Sequence, residues 1–310
     1  MLLLLALALA PSDSARRDDA QMRMISVVAG ESLAVTISGS DSGLPLVLIP
    51  GLFGSHFGFR KVVPPLNAAG YRTIVIEPLG VGSSSRPPHA DYSLTAQADR
   101  IAGVLDSLHV SNAVVVAHAL GAAMGLRLAY RRPDLVRGLV ALDGGPTESA
   151  VTPTFKRMVR LFPWVKLLGG VGLVRKKTRE TMVNSSGDTT WVTDEVVTEY
   201  TAGVAADLTG TLKAYLAMAA AKEPERLAPH LASVTCPVRL VIGAAPHGGN
   251  VNEDEVARLH DSLPAFALDS IPGAGHYLHE ERPDVVVAAV AQLEVAMRSQ
   301  ALRIGPSVSN

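Results

Sequence analysis

The stretch Val114-Val115-Val116-Ala117-His118-Ala119-Leu120-Gly121-Ala122-Ala123-Met124-Gly125 decides how the rest of this chain is read. A β-branched run stops at a small residue. A helical pattern follows, apolar at Met124, Leu126, Leu128 and Ala129, with Arg127 and Arg131 interleaved. The pattern predicts a buried strand that turns sharply into a helix. Small residues at Ala117 and Gly121 let the two elements close on each other. Ala119 then falls at the tip of the turn, in front of the helix N-terminus. Free backbone N–H groups and the helix dipole favour an anion there. The position suits a nucleophile, yet it carries a methyl group.

Strands and helices alternate on both sides of this turn. Upstream, Met24 to Ser38 reads as two short strands around Gly30-Glu31, and Pro45 to Ile49 as a fully apolar strand. Lys61 to Ala69 is a helix, Thr73 to Ile76 a strand, and Ala96 to Leu108 a helix with Ile101, Val104, Leu105 and Leu108 on one face. Downstream, helix Leu120 to Arg132 ends at Pro133, and strand Gly138 to Leu142 follows. The alternation then stops between Thr147 and about Val234. Helical spacing is expected over Phe155 to Val174 and over Val196 to Ala221, the latter broken near Gly210. It resumes with strand Val238 to Gly243, helix Glu253 to Ser262, strand Ala265 to Ile271 and a final helix from Val285 to Met297. Apolar strands alternating with helices imply a mostly parallel sheet covered on both faces, with ligands at the strands' C-terminal ends.

Composition narrows the function classes. The chain has 310 residues, 48% of them hydrophobic, and a formal charge of -1. It carries no basic excess for nucleic acid and no acidic tract typical of disorder. The lone cysteine, Cys236, excludes an internal disulfide and a cysteine-rich metal site, and its place before Pro237 at the start of an apolar run suits a buried thiol. The apolar block Leu2 to Ala10 resembles a signal-peptide core and is too short to span a membrane, so no stable membrane insertion is expected. No Lys or Arg precedes it, and Pro11 follows the Ala8-Leu9-Ala10 site. Export and a cytoplasmic location with a disordered N-terminus both stay open.

The small-x-tip-x-small turn at 117–121 resembles the nucleophile elbow of the α/β-hydrolase superfamily. The resemblance covers about residues 25 to 298. It implies an eight-stranded, mostly parallel sheet with helices on both faces. The implied core is 23–146 with 234–298, with a helical cap at 147–233. Residues 1–22 would be a signal peptide or disordered start and 299–310 a loose tail. The loop Pro50-Gly51-Leu52-Phe53 lies where the superfamily has His-Gly-x, which makes the N–H groups of Leu52 and Leu120 the expected oxyanion hole. Glu77-Pro78-Leu79-Gly80-Val81-Gly82-Ser83 resembles a structural turn of the family rather than a phosphate loop.

The resemblance also assigns the catalytic positions in the chain order nucleophile, acid, histidine. His276, in Gly273-Ala274-Gly275-His276, matches the catalytic histidine loop, and His279 is the weaker candidate. The acid usually follows the strand at 238–243, but Gly243-Ala244-Ala245-Pro246 offers no carboxylate. Some members place it one strand earlier, where Asp143 stands. Ser55, Ser83, Ser84 and Ser85 lie on neighbouring loops without elbow geometry.

Gly51, Phe53, Phe57, His118, Leu120 and Tyr277 are expected around a pocket for an apolar small molecule. No cofactor or metal is implied, and the oligomeric state is not readable. Ala119 leaves three readings: a non-catalytic small-molecule binder, a catalyst that uses His276 without a nucleophile, or a chain in which Ala119 was engineered from Ser. Enzyme activity is therefore left open, and ordinary esterase turnover is expected to be minimal.

Overall fold

The computed structural model describes residues 20–150, 165, 169–249 and 251–304. Its centre is an eight-stranded sheet. The strands are β1 (Gln21–Val28), β2 (Glu31–Ser38), β3 (Leu44–Ile49), β4 (Tyr71–Ile76), β5 (Ala113–His118), β6 (Val136–Leu142), β7 (Val238–Gly243) and β8 (Phe266–Ile271). They lie in the order β1-β2-β4-β3-β5-β6-β7-β8. The β1–β2 and β2–β4 pairings are antiparallel, and the others are parallel. β5 is buried along its whole length, which explains why its sequence is a continuous apolar run rather than an alternation. One side chain set of each central strand faces α2 (Leu94–Ser107) and α3 (Leu120–Arg131), and the other faces α1 (Val63–Ala68) and the long C-terminal helix.

The turn from β5 into α3 is as tight as its small residues allow. A Cβ at Gly121 would stand 2.6 Å from the Ile49 carbonyl oxygen, so a side chain there would push β3 and α3 apart. One at Gly144 would stand 2.2 Å from the Ala119 carbonyl oxygen. These two glycines let the loops after β3, β5 and β6 converge on a single point.

Between β6 and β7 the described residues are helical: α4 (Gly170–Asn184), α5 (Asp194–Tyr200), α6 (Ala202–Ala206) and α7 (Leu208–Ala220). The break expected near Gly210 lies earlier. The chain reorganises around Thr201 and Asp207, and the Asp207 carboxylate accepts from the Gly210 N–H at 2.8 Å as an N-cap, so Gly210 begins a helix instead of ending one. The helix expected over 155–174 lies largely outside the described residues, as does the N-terminal block before residue 20. Arg127 on α3 is fully buried. It reaches Glu148 at 3.0 Å and Glu223 at 3.4 Å, one at each end of the insertion. A buried guanidinium needs such partners, because removing one leaves an uncompensated charge.

After β7 come α8 (Glu253–Ser262), β8, the short α9 (Leu278–Glu281) and α10 (Pro283–Ile304). The final helix therefore starts at Pro283, where proline suits the first helical position. It continues past Met297 to Ile304, beyond the start expected for a loose tail. Among the described residues, no helix is long and apolar enough to cross a membrane.

Candidate active site

The three central loops meet at Ala119. Its backbone lies at φ 50° and ψ -118°, a conformation an L-residue rarely adopts. Holding it there costs roughly 1–3 kcal/mol. Two hydrogen bonds keep the turn closed: Ala119 N–H to the Leu142 carbonyl at 2.9 Å, and Ala122 N–H to the Ala119 carbonyl at 3.0 Å. The tip is half-buried, and so are Leu52 and Leu120. Among the described residues neither the Leu52 nor the Leu120 N–H has a hydrogen-bond acceptor. Leu52 is further fixed by Tyr215 of α7, whose hydroxyl donates to the Leu52 carbonyl at 2.9 Å. Leu120 follows the tip directly, and Gly51, next to Leu52, packs against it, where a Cβ would stand 3.2 Å from that of Ala119.

Asp143 follows β6 directly, fully buried and at φ 44°. Its Oδ2 lies 2.5 Å from His276 Nδ1, across from the loop after β8. Glu253 and Glu255 instead begin α8, where Glu255 forms a capping box with Asn252. Asp143 Oδ2 also lies 2.8 Å from His247 Nε2. Sequence reasoning passed over His247 because it searched the loop after β7 for a carboxylate. The signal was present: a histidine just beyond Gly243-Ala244-Ala245-Pro246, on the loop where the family pattern expects the acid.

Asp143, His247 and His276 bring three potential metal-ligating atoms within 4.8 Å of one another. Their separations favour protons over an ion. Ligands about 2.1 Å from a common tetrahedral ion stand about 3.4 Å apart, whereas these N–O contacts are 2.5 and 2.8 Å. That is the range of charge-assisted hydrogen bonds.

His118 and Tyr277 were expected to line the pocket, and the structure places them behind it. His118 is 6% exposed. Its Nε2–H donates to the His276 carbonyl at 3.0 Å, and its ring centroid lies 4.7 Å from that of His276 and 4.4 Å from that of His279. Burial, with the His276 charge adding to it, pushes the His118 pKa down to about 3. Burial likewise holds His279 well below the usual imidazole range, and Tyr200 Oη lies 3.1 Å from its Nε2. The β5 and β8 loops are packed tightly enough that these rings fill the space and act as a backing for His276. Gly51 is also buried against this layer, where a Cβ would stand 3.2 Å from that of Ala119.

Phe53 and Phe57 do line a narrow cleft, of about 50 Å³, beside the loop after β3. Its other walls include His56, Arg86, Glu199 and Tyr215, so it is amphipathic rather than apolar. The neighbouring serines divide by role. Ser84 and Ser85 accept from the Ala34 and Ser32 N–H groups at 2.8 Å, which ties their loop to β2. Ser55 and Ser83 line the cleft. Glu77 is buried and accepts from the N–H groups of His56 and Ser83 at 2.8 and 2.5 Å, so it shapes the cleft wall.

The sheet order and the sharp β5–α3 turn are those of the α/β-hydrolase fold, and the comparisons agree. Residues 45–166 match the family model described as alpha/beta hydrolase fold. The chain is 39% identical over 99 residues to a putative carbamate hydrolase RutD of Pantoea ananatis, a match covering 32% of this chain and 36% of that protein. It is 26% identical to the uncharacterized hydrolase YugF of Bacillus subtilis, covering 79% of this chain and 88% of that one. Among solved structures, the epoxide hydrolase CorEH without ligand superposes with a TM-score of 0.74 at 20% identity, covering 90% of this chain and 100% of that chain. The chain has the α/β-hydrolase fold, and residues 45–166 carry the sequence signature of that family.

Proposed function

We propose that this chain binds a small molecule with an apolar body and a carbonyl-type polar group in a hydrolase-type site, and that it performs no ordinary covalent ester hydrolysis. The observation that carries this reading is the elbow. Ala119 holds the strained conformation of a nucleophile position, beside two free N–H donors, while its side chain has no atom that can attack. Hydrolysis through an acyl intermediate needs an attacking oxygen, a base and a group that orients the base. His276 and Asp143 would supply the second and third parts of that set.

Several features support a carbonyl-binding site. A ligand carbonyl directed at Leu52 and Leu120 would meet both N–H groups, with His276 on the acid side. The amphipathic cleft beside Phe53 and Phe57 suits the rest of such a ligand, and helices α4–α7, read as a cap, would cover it. A fully buried carboxylate at Asp143 and a constrained backbone at Ala119 are costly to maintain without a function. A second reading rests on the same Asp143–His276 contact: His276 acts as a base toward water or a substrate C–H without any nucleophile.

The test is the variant Ala119→Ser assayed against a panel of small activated esters. The added oxygen should raise turnover roughly 10³-fold or more over the unsubstituted chain, since loss of a triad serine costs still more in an intact protease. A folded serine variant at background with every ester would reject the hydrolase-type site. Turnover by the unsubstituted chain that His276→Ala abolishes would favour the nucleophile-independent reading.

A further inference from the structure

His247 presents both ring nitrogens to oxygen atoms. Nδ1 lies 2.6 Å from the carbonyl oxygen of Ala245. A carbonyl only accepts, so Nδ1 carries a proton. Nε2 lies 2.8 Å from Asp143 Oδ2, and an ionised carboxylate also only accepts. A neutral ring would therefore set one lone pair against another at hydrogen-bond distance. Its side chain is 1% exposed and that of Asp143 0%, so water could not relieve the mismatch.

We propose that His247 is a positioning residue for the Asp143–His276 pair, held with both ring nitrogens protonated. Its Nε2–H fixes the Asp143 carboxylate so that Oδ2 faces His276 Nδ1. No other side chain does this: Asp143 Oδ1 has no hydrogen-bond partner among the described residues, and Oδ2 meets only the two imidazoles. The loop after β7, where related hydrolases are expected to carry the acid, here carries a cation for an acid that has moved to the loop after β6. The charged and titratable groups facing His247 come from two elements. They are Asp143 after β6 and His276 after β8, whose ring centroid lies 5.9 Å away. The imidazolium offsets the carboxylate charge, so the base His276 works beside a compensated pair rather than a bare anion.

The double protonation stands on geometry alone, while the positioning role rests on the reading of the site given above. Two measurements separate them. The first is ¹⁵N–¹H spectroscopy of the imidazole groups in the unsubstituted chain at about pH 7, with His247→Gln to assign the signals. Two N–H protons on His247 and one on His276 Nδ1 are expected. A single N–H on His247, or zinc binding through its Nε2 with the proton left only on Nδ1, would overturn the proposal.

The second measurement uses the Ala119→Ser background. His247→Gln keeps an N–H donor and should leave ester kcat within about threefold, while His247→Phe should lower it about tenfold or more with little change in KM. Equal kcat in both variants, each with native circular dichroism, would overturn the positioning role. An inactive Ala119→Ser parent would instead count against the hydrolase-type reading, and the spectroscopic result would stand independently of it.

Discussion

The elbow after β5 and the acid–histidine side after β6 and β8 were built to opposite ends. At the elbow the backbone is costly and the side chain inert: Ala119 sits at φ 50° with only a methyl group. Across from it the side chains are costly and chemically competent. Asp143 is fully buried and bonded to two imidazoles, and His118 and His279 back His276. A site decaying without use would be expected to relax where relaxation is cheapest, in the backbone strain at a position without a side-chain function. The strain is still present. On the function proposed above, the chemistry absent from the elbow comes down to one atom.

The largest expected effect lies on the histidine side. In the Ala119→Ser background, His276→Ala should lower ester kcat by about 10²–10⁴-fold, the usual contribution of a general base. Steady-state kinetics with the same esters measures it. A fall of less than about threefold would mean that His276 is not the base, and the two halves of the comparison would no longer belong to one site.

Acid should act on the same side. His118 titrates near 3 when folded, against about 6.5 when unfolded. The unfolded chain therefore binds more protons between those values, and stability falls as pH drops below about 6.5 towards 3. His279 shifts in the same direction. His118 held neutral contributes a loss of about 1.4 kcal/mol per pH unit inside its window. Denaturant melts of the chain and of His118→Phe should diverge on acidification, the variant showing the shallower slope. Parallel curves would place the acid sensitivity elsewhere.

The smallest effect belongs to the elbow. Glycine tolerates the backbone at position 119 better than alanine does, so Ala119→Gly should raise stability by about 1 kcal/mol by relieving strain, less what glycine loses in the unfolded chain. Chemical denaturation reads it. Destabilisation would show that the Ala119 methyl packs more usefully than its strain costs.

The strand–helix alternation and the β5–α3 turn were readable because they rest on local periodicity and on small residues where backbones meet. The sheet, with β7 and α8 at their expected bounds, follows that pattern. That His118 points away from the tip follows from its place just before it, whereas the packing of His118 and Tyr277 was not readable. Both stand next in sequence to site residues, but what each ring packs against depends on the fit between the loops after β5 and β8. The break in the insertion was misplaced for a related reason. Gly210 looked like a helix end, whereas the deciding interaction was an Asp207 side-chain cap. His247 is the instructive omission, since a search for a carboxylate does not find the group that a displaced carboxylate recruits.

The central claim is that one oxygen atom separates this site from a covalent hydrolase. Intact-mass spectrometry of Ala119→Ser, quenched in acid after brief exposure to an activated acyl ester, tests it most directly, with the unsubstituted chain treated alongside. An acyl adduct is expected on the variant, mapped by peptide digestion to position 119, and none on the unsubstituted chain. A folded variant with no adduct at that position, and no turnover of the ester, would contradict it.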